Sequence, residues 1–173
     1  MTNMPGSDAR TWSVSVTGRV AIVQAESPAD IAQARQLFLE YAQSLGFSLG
    51  FQNFDQELAG LPGDYSLPDG RLLLARVGDE TAGCVAMHKI DADICEMKRL
   101  YLRPPFRGKG LGRILANAVI AEARKIGYKF MRLDTVEPVM KDAVGLYRRM
   151  GFYEIAPYRV NPMPGTLYME LRL

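Results

Sequence analysis

The sequence is poor in the residues that build disulfides, zinc sites and histidine-dependent active sites. Its 173 residues include only two cysteines, Cys84 and Cys95, and one histidine, His88. Two cysteines form at most one disulfide, and the spacing of this pair matches no metal-ligand pattern. A Cys/His zinc site or a serine–histidine triad would have to use His88. We therefore expect a protein that requires no metal.

Long apolar segments are also absent from the sequence. No apolar run approaches the roughly 20 residues that a membrane-spanning helix needs. Residues 1–8 contain no apolar stretch that could serve as a secretion signal. We expect a soluble protein of the reducing cytoplasm with no membrane partner.

The charges of the sequence nearly cancel. There are 21 Lys and Arg residues against 19 Asp and Glu residues, which gives a formal net charge of +2. Domains that bind nucleic acid mainly by neutralising phosphates are usually strongly basic, so we expect no nucleic-acid partner. The composition, 48% apolar and 23% charged, is typical of a globular protein. A chain of this length is expected to bury roughly 70% of its unfolded surface, which is enough for one domain with its own core.

Hydrophobic periodicity predicts an alternation of strands and helices. We interpret residues 1–17 as an N-terminal extension or edge strand and residues 18–173 as a single domain. The first predicted helix begins after Ser27, a good N-cap, and ends at Gly46. The other predicted helices span 55–59, 110–126 and 138–150, and the predicted strands span 19–24, 72–77, 82–90, 94–102, 130–134, 152–156 and 166–173.

The order of these elements predicts the fold class. Hairpins between consecutive strands imply antiparallel pairing, whereas a strand that leads through a helix into another strand implies a parallel crossover. The sequence therefore predicts an α/β (α+β) fold in which helices pack on the faces of a mixed sheet.

The most informative segment runs from Leu100 to Arg113, where a strand ends, a basic glycine-rich loop follows and a helix begins. Glycines lack a Cβ atom, so a ligand can approach their backbone closely. The unpaired N–H groups at the start of the helix, together with its dipole, attract anionic oxygens. The glycines are Gly108, Gly110 and Gly112, and the interleaved basic residues are Arg107, Lys109 and Arg113. This combination predicts a pyrophosphate-binding loop.

Two other phosphate-binding motifs match this segment poorly. A Walker loop needs Gly-x-x-x-x-Gly-Lys followed by Ser or Thr, which the sequence does not contain. A dinucleotide-binding fingerprint begins directly at the strand end and needs a third small residue where this chain has Arg113, whereas Pro104 and Pro105 intervene here. Asp134 lies at about the right distance for a ribose contact, so a dinucleotide site stays an alternative, as does a glycine-rich turn without a ligand.

Two motifs resemble the GNAT superfamily of N-acetyltransferases. Arg107-x-x-Gly110-x-Gly112, preceded by the Glu-Met-Lys-Arg-Leu-Tyr-Leu-Arg-Pro of residues 96–104, is similar to the acetyl-CoA-binding motif of that family. Residues 143–152, Ala-Val-Gly-Leu-Tyr-Arg-Arg-Met-Gly-Phe, are similar to the helix–turn–strand that closes its fold. The resemblance implies a single GNAT-like domain with a twisted, mostly antiparallel mixed sheet and helices on both faces. It also implies acetyl-CoA as co-substrate and a primary amine as acceptor.

The resemblance further implies which residues bind the co-substrate. Main-chain N–H groups of the glycine-rich loop, with Arg113, would bind the CoA pyrophosphate. A bulge in the strand before the loop would open a cleft for the thioester, where the strand backbone pairs with the pantetheine arm and the Leu100 N–H donates to the oxyanion. The chain departs from the family at Met140, where an asparagine often contacts CoA. The predicted co-substrate-binding residues are Leu100, Tyr101, Leu102, Arg107, Gly108, Lys109, Gly110, Leu111, Gly112 and Arg113.

Glu96 is the candidate general base. Strand alternation places it on the same face as Lys98, Leu100 and Leu102, unless a bulge resets the parity downstream. A primary amine of pKa ~10.4 is mostly charged at pH 7, and freeing its lone pair costs about 4.6 kcal/mol. A carboxylate near the thioester, acting through water, would help to remove that proton. The alternative is a glutamate paired with Lys98 or Arg99 on a solvated face.

Tyr147 is the candidate general acid. It shares a helical face with apolar residues, which also suits an ordinary core tyrosine. The match of the Leu-Tyr pair before Gly151 and Phe152 to the family pattern implies that its hydroxyl reaches the sulfur and protonates the departing thiolate.

The remaining candidates carry weaker signals. We interpret His88 as structural and the two cysteines as small core residues rather than acyl carriers. A late loop, Tyr158 with residues 161–165, could close an acceptor pocket. Acids in the connection after the first helix could draw a cationic amine into that pocket. The residues of this connection are Phe47, Phe51, Phe54, Asp55, Glu57, Asp64 and Tyr65.

Together these features predict an acetyl-CoA-dependent N-acetyltransferase. The acceptor would be a primary amine in a small amine, amino acid or peptide, and the protein a monomer or homodimer. The alternative is a module that binds or senses acyl-CoA without transferring the acyl group.

Overall fold

The structure, a computed structural model, describes residues 14–16 and 18–173. Within them it contains eight β-strands and four α-helices. The strands are β1 Val14–Val16, β2 Gly18–Gln24, β3 Arg71–Val77, β4 Glu80–Lys89, β5 Ile94–Leu102, β6 Phe130–Val136, β7 Tyr153–Ile155 and β8 Thr166–Arg172. The helices are α1 Pro28–Leu45, α2 Phe54–Gly60, α3 Leu111–Ile126 and α4 Lys141–Arg149. None of these helices is long and apolar enough to cross a membrane.

The strands form one sheet in the order β1-β2-β3-β4-β5-β6-β8-β7. Among the described strands, β5 and β6 are the single parallel pair, and every other neighbouring pair is antiparallel. The predicted mixed, mostly antiparallel sheet is confirmed. The parallel pair arises because α3 carries the chain from the end of β5 back to the start of β6.

Helices cover both faces of the sheet because apolar side chains alternate along the central strands. In β3, Leu72 and Leu74 pack with α1 and α2, whereas Leu73 packs on the opposite face with α3 and α4. The two cysteines follow the same division, with Cys84 in the α1 layer and Cys95 in the α3 layer. Both thiols are free and buried. Because they lie on opposite faces, the sheet separates them.

Local signals explain where the helices begin and end. Ser27 caps α1 through a reciprocal capping box with Asp30, and Gly46 ends the helix in the left-handed region, both as predicted. The predicted start of the last helix at Pro138 is wrong, because a turn precedes it. The N–H groups of Val139 and Met140 donate to the carbonyl of Val136, and α4 begins at Lys141.

The predicted N-terminal segment falls mostly outside the described residues. Of residues 1–17, the structure describes Val14–Val16, which form the edge strand β1 and pair with β2 from Val20 to Gly18. The remainder of the prediction for this segment, including the domain boundary, stays a prediction.

A bulge at Arg99 changes the side-chain parity of β5. Ala86 pairs with Lys98 and Cys84 pairs with Tyr101, so two residues of β5 lie opposite Val85 of β4. Arg99 takes the left-handed φ of +60° at this point. Its side chain therefore faces α1 and α2, on the same side as that of Lys98.

The bulge corrects one expectation for Glu96. The sequence groups Glu96 with Lys98, Leu100 and Leu102, and the structure keeps only Lys98 in that group. Leu100 and Leu102 pack instead against the core on the α3 face.

The parallel pairing of β5 with β6 ends before the bulge. Pairing of β5 with β6 ends at Glu96 and Arg132, although β5 continues to Leu102 and β6 to Val136. No described strand pairs with this edge of β5 from Met97 onward. This free edge of β5 runs from Glu96, where the pairing ends, toward the glycine-rich loop after Leu102.

Candidate active site

The glycine-rich loop leads into the N-terminus of α3, as the sequence predicts. After a turn of 3₁₀ helix at Pro104–Phe106, Gly108 and Gly110 have φ values of +74° and +81°. These conformations favour glycine, and a Cβ atom at either position would point into open space. Gly110 is the N-cap of α3, and no side chain caps this helix end. The first N–H groups of α3 are therefore available to an anionic ligand.

The predicted co-substrate residues present different atoms to this loop. Leu111 is buried in the core, so only its backbone can face a ligand. Arg107 donates from Nε to the carbonyl of Leu102 at 2.9 Å, and its guanidinium lies 5.6 Å from the centre of the Tyr101 ring. The exposed residues are Arg107, Gly108, Lys109, Gly110 and Arg113.

Glu96 lies at the centre of a buried polar cluster. It is 1% exposed, and its Oε1 accepts from His88 Nε2 at 2.8 Å across the β4–β5 pair. Its Oε2 accepts from the hydroxyl of Tyr158 and from Nη2 of Arg159, both in the loop between β7 and β8. The ammonium of Lys98 lies 3.9 Å from Oε1. Glu96 is thus neither on a solvated face nor paired with Arg99.

The hydrogen bonds of Glu96 leave it one acceptor position. A carboxylate offers about four lone-pair sites, and His88, Tyr158 and Arg159 occupy three of them. The fourth lies on Oε1, the oxygen next to Lys98. No described residue makes a hydrogen bond at this position, although Glu96 itself is almost fully buried.

Arg99 is held in a second buried ion pair. Its Nε donates to Glu57 at 3.0 Å and its Nη1 donates to Gln52 at 2.9 Å, while the rings of Phe54 and Tyr41 lie 5.2 and 5.8 Å from the guanidinium carbon. In the described part of the chain, Arg99 Nη2 is the single sealed side-chain nitrogen or oxygen without a partner. The pair attaches α2 to the bulge of β5.

A cavity of about 430 Å³ opens beside the residues that surround Glu96, which does not itself line it. One wall is the connection between α1 and β3, and the other is formed by His88, Lys98 and Arg159. Of the connection residues that the sequence singled out, Glu57, Asp64 and Tyr65 line the cavity. Phe54 is buried under Arg99, and Phe47 packs against the α1 core. The residues of the connection that line the cavity are Gln52, Asn53, Gln56, Glu57, Gly60, Leu61, Pro62, Gly63, Asp64 and Tyr65.

Tyr147 lies on the α3 face of the sheet, where its ring packs 5.6 Å from that of Phe152. Burial, followed by the nearby groups Tyr41 and Asp134, raises the pKa of Tyr147 well above its usual range. Its hydroxyl makes no hydrogen bond with the described residues, yet it is not among the sealed unpaired atoms. Tyr147 therefore keeps its proton and an exposed hydroxyl in an otherwise buried ring.

The sequence does not reveal the role of Arg159. It follows Tyr158 in a loop that has no periodic pattern, and its partner Glu96 lies 63 positions earlier. His88, which we interpret from sequence as structural, also contacts this cluster. Burial, with the positive charge of Lys98, lowers the pKa of His88 to about 4, so the imidazole is neutral near pH 7.

The other candidates carry no reactive arrangement. Burial raises the pKa of both thiols, that of Cys95 to about 12, so neither is a ready nucleophile. The sulfur of Met140 accepts a hydrogen bond from the Thr135 hydroxyl at 3.3 Å, so this side chain faces β6. Among the residues that the structure describes, no group of three or more His, Cys, Asp or Glu side chains could hold a metal ion.

Comparison with known proteins places the chain among the acyltransferases. The model of the acetyltransferase (GNAT) family matches residues 32–152, which is more than half of the sequence. The chain belongs to the GNAT family and is an N-acetyltransferase by class. An uncharacterized N-acetyltransferase of Schizosaccharomyces pombe is 42% identical over 156 residues, covering 89% of this chain and 95% of the relative.

Solved structures show the same fold. An acetyltransferase from Streptococcus agalactiae superposes with a TM-score of 0.73 at 22% identity, over 91% of this chain and all (100%) of the other. A GNAT family acetyltransferase from Elizabethkingia anophelis, solved with acetyl-CoA bound, has a TM-score of 0.60 at 21% identity and covers 89% of this chain and 98% of its own. The predicted fold and the predicted enzyme class are confirmed.

Proposed function

We propose that this protein transfers the acetyl group of acetyl-CoA to a primary amine by direct attack within a ternary complex. The observation that carries the proposal is the end of β5–β6 pairing at Glu96, which leaves a free edge of β5 between the cavity near Glu96 and the anion-binding loop at α3. The loop suits the pyrophosphate of CoA, and the free edge of β5 suits its pantetheine arm. The acetyl-CoA-bound relative supports the choice of co-substrate.

Each candidate residue has a role in this reaction. The amine lone pair attacks the thioester carbonyl, and the Leu100 N–H donates to the oxygen that becomes negative. Glu96 accepts the amine proton at its fourth acceptor site, directly or through water. Collapse of the intermediate breaks the C–S bond and releases the CoA thiolate, which takes the proton of the Tyr147 hydroxyl. The proton gained by Glu96 then passes through water to the Tyr147 phenolate, whose raised pKa favours its return, so both residues are restored.

The experiment that tests the proposal is an acetylation assay. Purified protein, acetyl-CoA and pooled amines, amino acids, aminoglycosides and short peptides are incubated together and analysed by mass spectrometry. We expect an acetylated product that depends on the protein. If CoA raises the melting temperature and no amine in the pool is acetylated, the transfer proposal fails for these acceptor classes.

One observation is consistent with a second function. A module that binds acyl-CoA without transfer predicts that Glu96 is occupied by a neighbouring cation, and Lys98 lies 3.9 Å from it. The Arg99 pairing that would also suit this module is absent, because Arg99 binds Glu57. The acetylation assay separates the two functions.

We predict that Gly110→Ala weakens acetyl-CoA binding about 10-fold. A left-handed backbone costs a non-glycine residue about 1–2 kcal/mol, and the new methyl group points to where the pyrophosphate would lie. Isothermal titration with acetyl-CoA measures the effect. Gly46→Ala is the matched control, because Gly46 has a similar φ of +73° with open space around it at the far end of α1. Equal weakening in both variants would contradict a ligand at the loop.

We predict that Tyr147→Phe lowers kcat about 10-fold and leaves the KM for acetyl-CoA within about 2-fold. The ring packing is retained, and the lost hydroxyl has no hydrogen bond within the described residues. Steady-state kinetics with thioesters of different leaving-group pKa provide the check. If the thiolate takes its proton from Tyr147, the loss is greatest for the most basic thiolate, and a uniform loss would contradict the role.

A cytoplasmic location is part of the proposal. The free buried thiols of Cys84 and Cys95 fit a reducing compartment.

A further inference from the structure

Lys98 presents an ammonium to the cavity that forms a long ion pair with Glu96 and no hydrogen bond. Its side chain is only 10% exposed, and the nearest carboxylate oxygen, Oε1 of Glu96, is 3.9 Å from Nζ, beyond hydrogen-bond distance. Within the described residues Nζ makes no hydrogen bond, and it is not sealed from solvent. Burial, with the positive charge of Arg99, lowers the pKa of Lys98 to about 8, so the nearby carboxylates offset its desolvation only in part. Its three N–H donors are available to an anion in the cavity.

Arg159 adds a second cation on the other side of Glu96. One of its nitrogens, Nη2, binds Oε2 of Glu96 and lies 3.8 Å from Asp134. Its Nε and Nη1 make no hydrogen bond with the described residues, and the side chain lines the cavity. A guanidinium with free N–H groups is suited to bind a carboxylate.

The acidic groups around the cavity are already occupied or lie at its rim. Both oxygens of Glu57 are bound, one by Arg99 and the other by the Tyr65 hydroxyl. Asp134 accepts from Asn161. Asp64 has no hydrogen bond from the described residues, but it is exposed. The charged groups of the cavity that still have free hydrogen-bonding positions, apart from Asp64 at the rim, are therefore cationic, which does not favour the expected attraction of a cationic amine by these acids alone.

We infer that the acceptor amine carries a carboxylate a few bonds from its nitrogen, as an amino acid does, and that Lys98 and Arg159 bind this carboxylate. The inference rests on the proposed function and names its substrate class. Because the two cations flank Glu96, a carboxylate between them places the amine next to the fourth acceptor site of Glu96. A cavity of about 430 Å³ accommodates an amino acid or a short peptide end.

The test compares amino acids with their own amides, for example alanine with alaninamide. The amide removes the carboxylate charge and keeps the amine. The amine of the amide is less basic than that of the acid, so more of it is unprotonated near pH 7. A preference for the acid therefore cannot come from a more reactive amine. Isothermal titration into the CoA-saturated protein measures binding without turnover, and mass spectrometry of equimolar acid–amide mixtures with acetyl-CoA measures transfer.

We expect the free acids to bind at least 10-fold more tightly than the amides and to be acetylated preferentially. Lys98→Gln should weaken binding of the acid about 10- to 100-fold, the range for a charged hydrogen bond, and leave binding of the amide within about 3-fold. Lys129→Gln, which removes an exposed cation outside the cavity, should have no effect on either ligand. Asp64→Asn should strengthen binding of the acid about 2-fold, because a like charge is removed.

The outcomes separate this inference from the proposed function. Acetylation of amides or simple monoamines as efficiently as acids would overturn the inference while the transferase stands. No acetylation of any acceptor, with tight binding of acids that Lys98→Gln abolishes, would overturn transfer and keep the carboxylate site. No binding of any acid in titration would overturn the inference whatever the assay shows, as would weaker binding of acids to the Asp64→Asn variant.

Discussion

Replacing Glu96 by glutamine is expected to lower kcat at least 100-fold. A positioned general base typically contributes 10²- to 10⁴-fold. Glutamine has the same shape and can still accept hydrogen bonds from Tyr158 and Arg159, but it cannot take a proton from the attacking amine. The measurement is the steady-state rate with a saturating acceptor, together with the pH dependence of kcat. We expect the variant to be relatively more active at high pH, where the amine is already deprotonated.

The expected loss must be separated from a loss of stability, because Glu96 also neutralises two cations. Glu122→Gln is the matched control. Glu122 is another buried carboxylate, and it binds Arg71 and Lys125 on the α3 face. The Glu122→Gln variant should lower the free energy of unfolding by about as much as Glu96→Gln does and leave kcat unchanged. A rate within about 3-fold of the native enzyme in the Glu96→Gln variant would contradict the role of base. Full turnover in the double variant with Tyr147→Phe would contradict the roles of both residues.

The Glu96 variant also links the mechanism to the acceptor class. Removal of the carboxylate leaves Lys98 and Arg159 without their shared anion. Their attraction for an acceptor carboxylate then increases. The variant should therefore combine a lower kcat with tighter binding of amino acids, a pattern that simple misfolding would not produce.

Most of the fold could be predicted from the sequence because its signals are local. The capping box at Ser27 and the glycine that ends α1 each depend only on residues within about one turn of the helix end. Alternation along the central strands predicts the two apolar layers. The glycine-rich loop is predicted by residue chemistry and by its place between a strand and a helix.

The centre of the candidate site could be predicted only in part, because the missing information is not local. The family resemblance implies a bulge in this strand, but its place at a left-handed Arg99 has no sequence signal, since arginine is not a residue that favours positive φ. This single conformation determines that Arg99 shares a face with Lys98 and Glu96. Arg159 joins the cluster through the return of the chain from β7 to β8, a contact across 63 positions that no spacing rule predicts.

Replacing Glu57 by glutamine is expected to lower the free energy of unfolding by about 3 kcal/mol. Removal of one partner of a buried ion pair leaves the other charge uncompensated, which typically costs about 3–5 kcal/mol. Arg99 is 2% exposed in its side chain, lies between two aromatic rings and already has one unpartnered nitrogen, so no solvent can replace the lost carboxylate. Urea unfolding followed by circular dichroism measures the change.

The same prediction distinguishes a buried charge from a surface one. Glu154→Gln is the control, because Glu154 pairs with Arg148 where both side chains are about half exposed (55% and 50%). Such pairs contribute about 1 kcal/mol or less. A double variant, Arg99→Met with Glu57→Leu, removes both charges and should recover much of the lost stability, because apolar replacements of a buried pair are often neutral. Equal losses in Glu57→Gln and Glu154→Gln, or no recovery in the double variant, would show that the pair does not stabilise the bulge through its charges. If the double variant regained stability but still bound the acceptor weakly, the two charges would instead be needed to maintain the shape of the cavity.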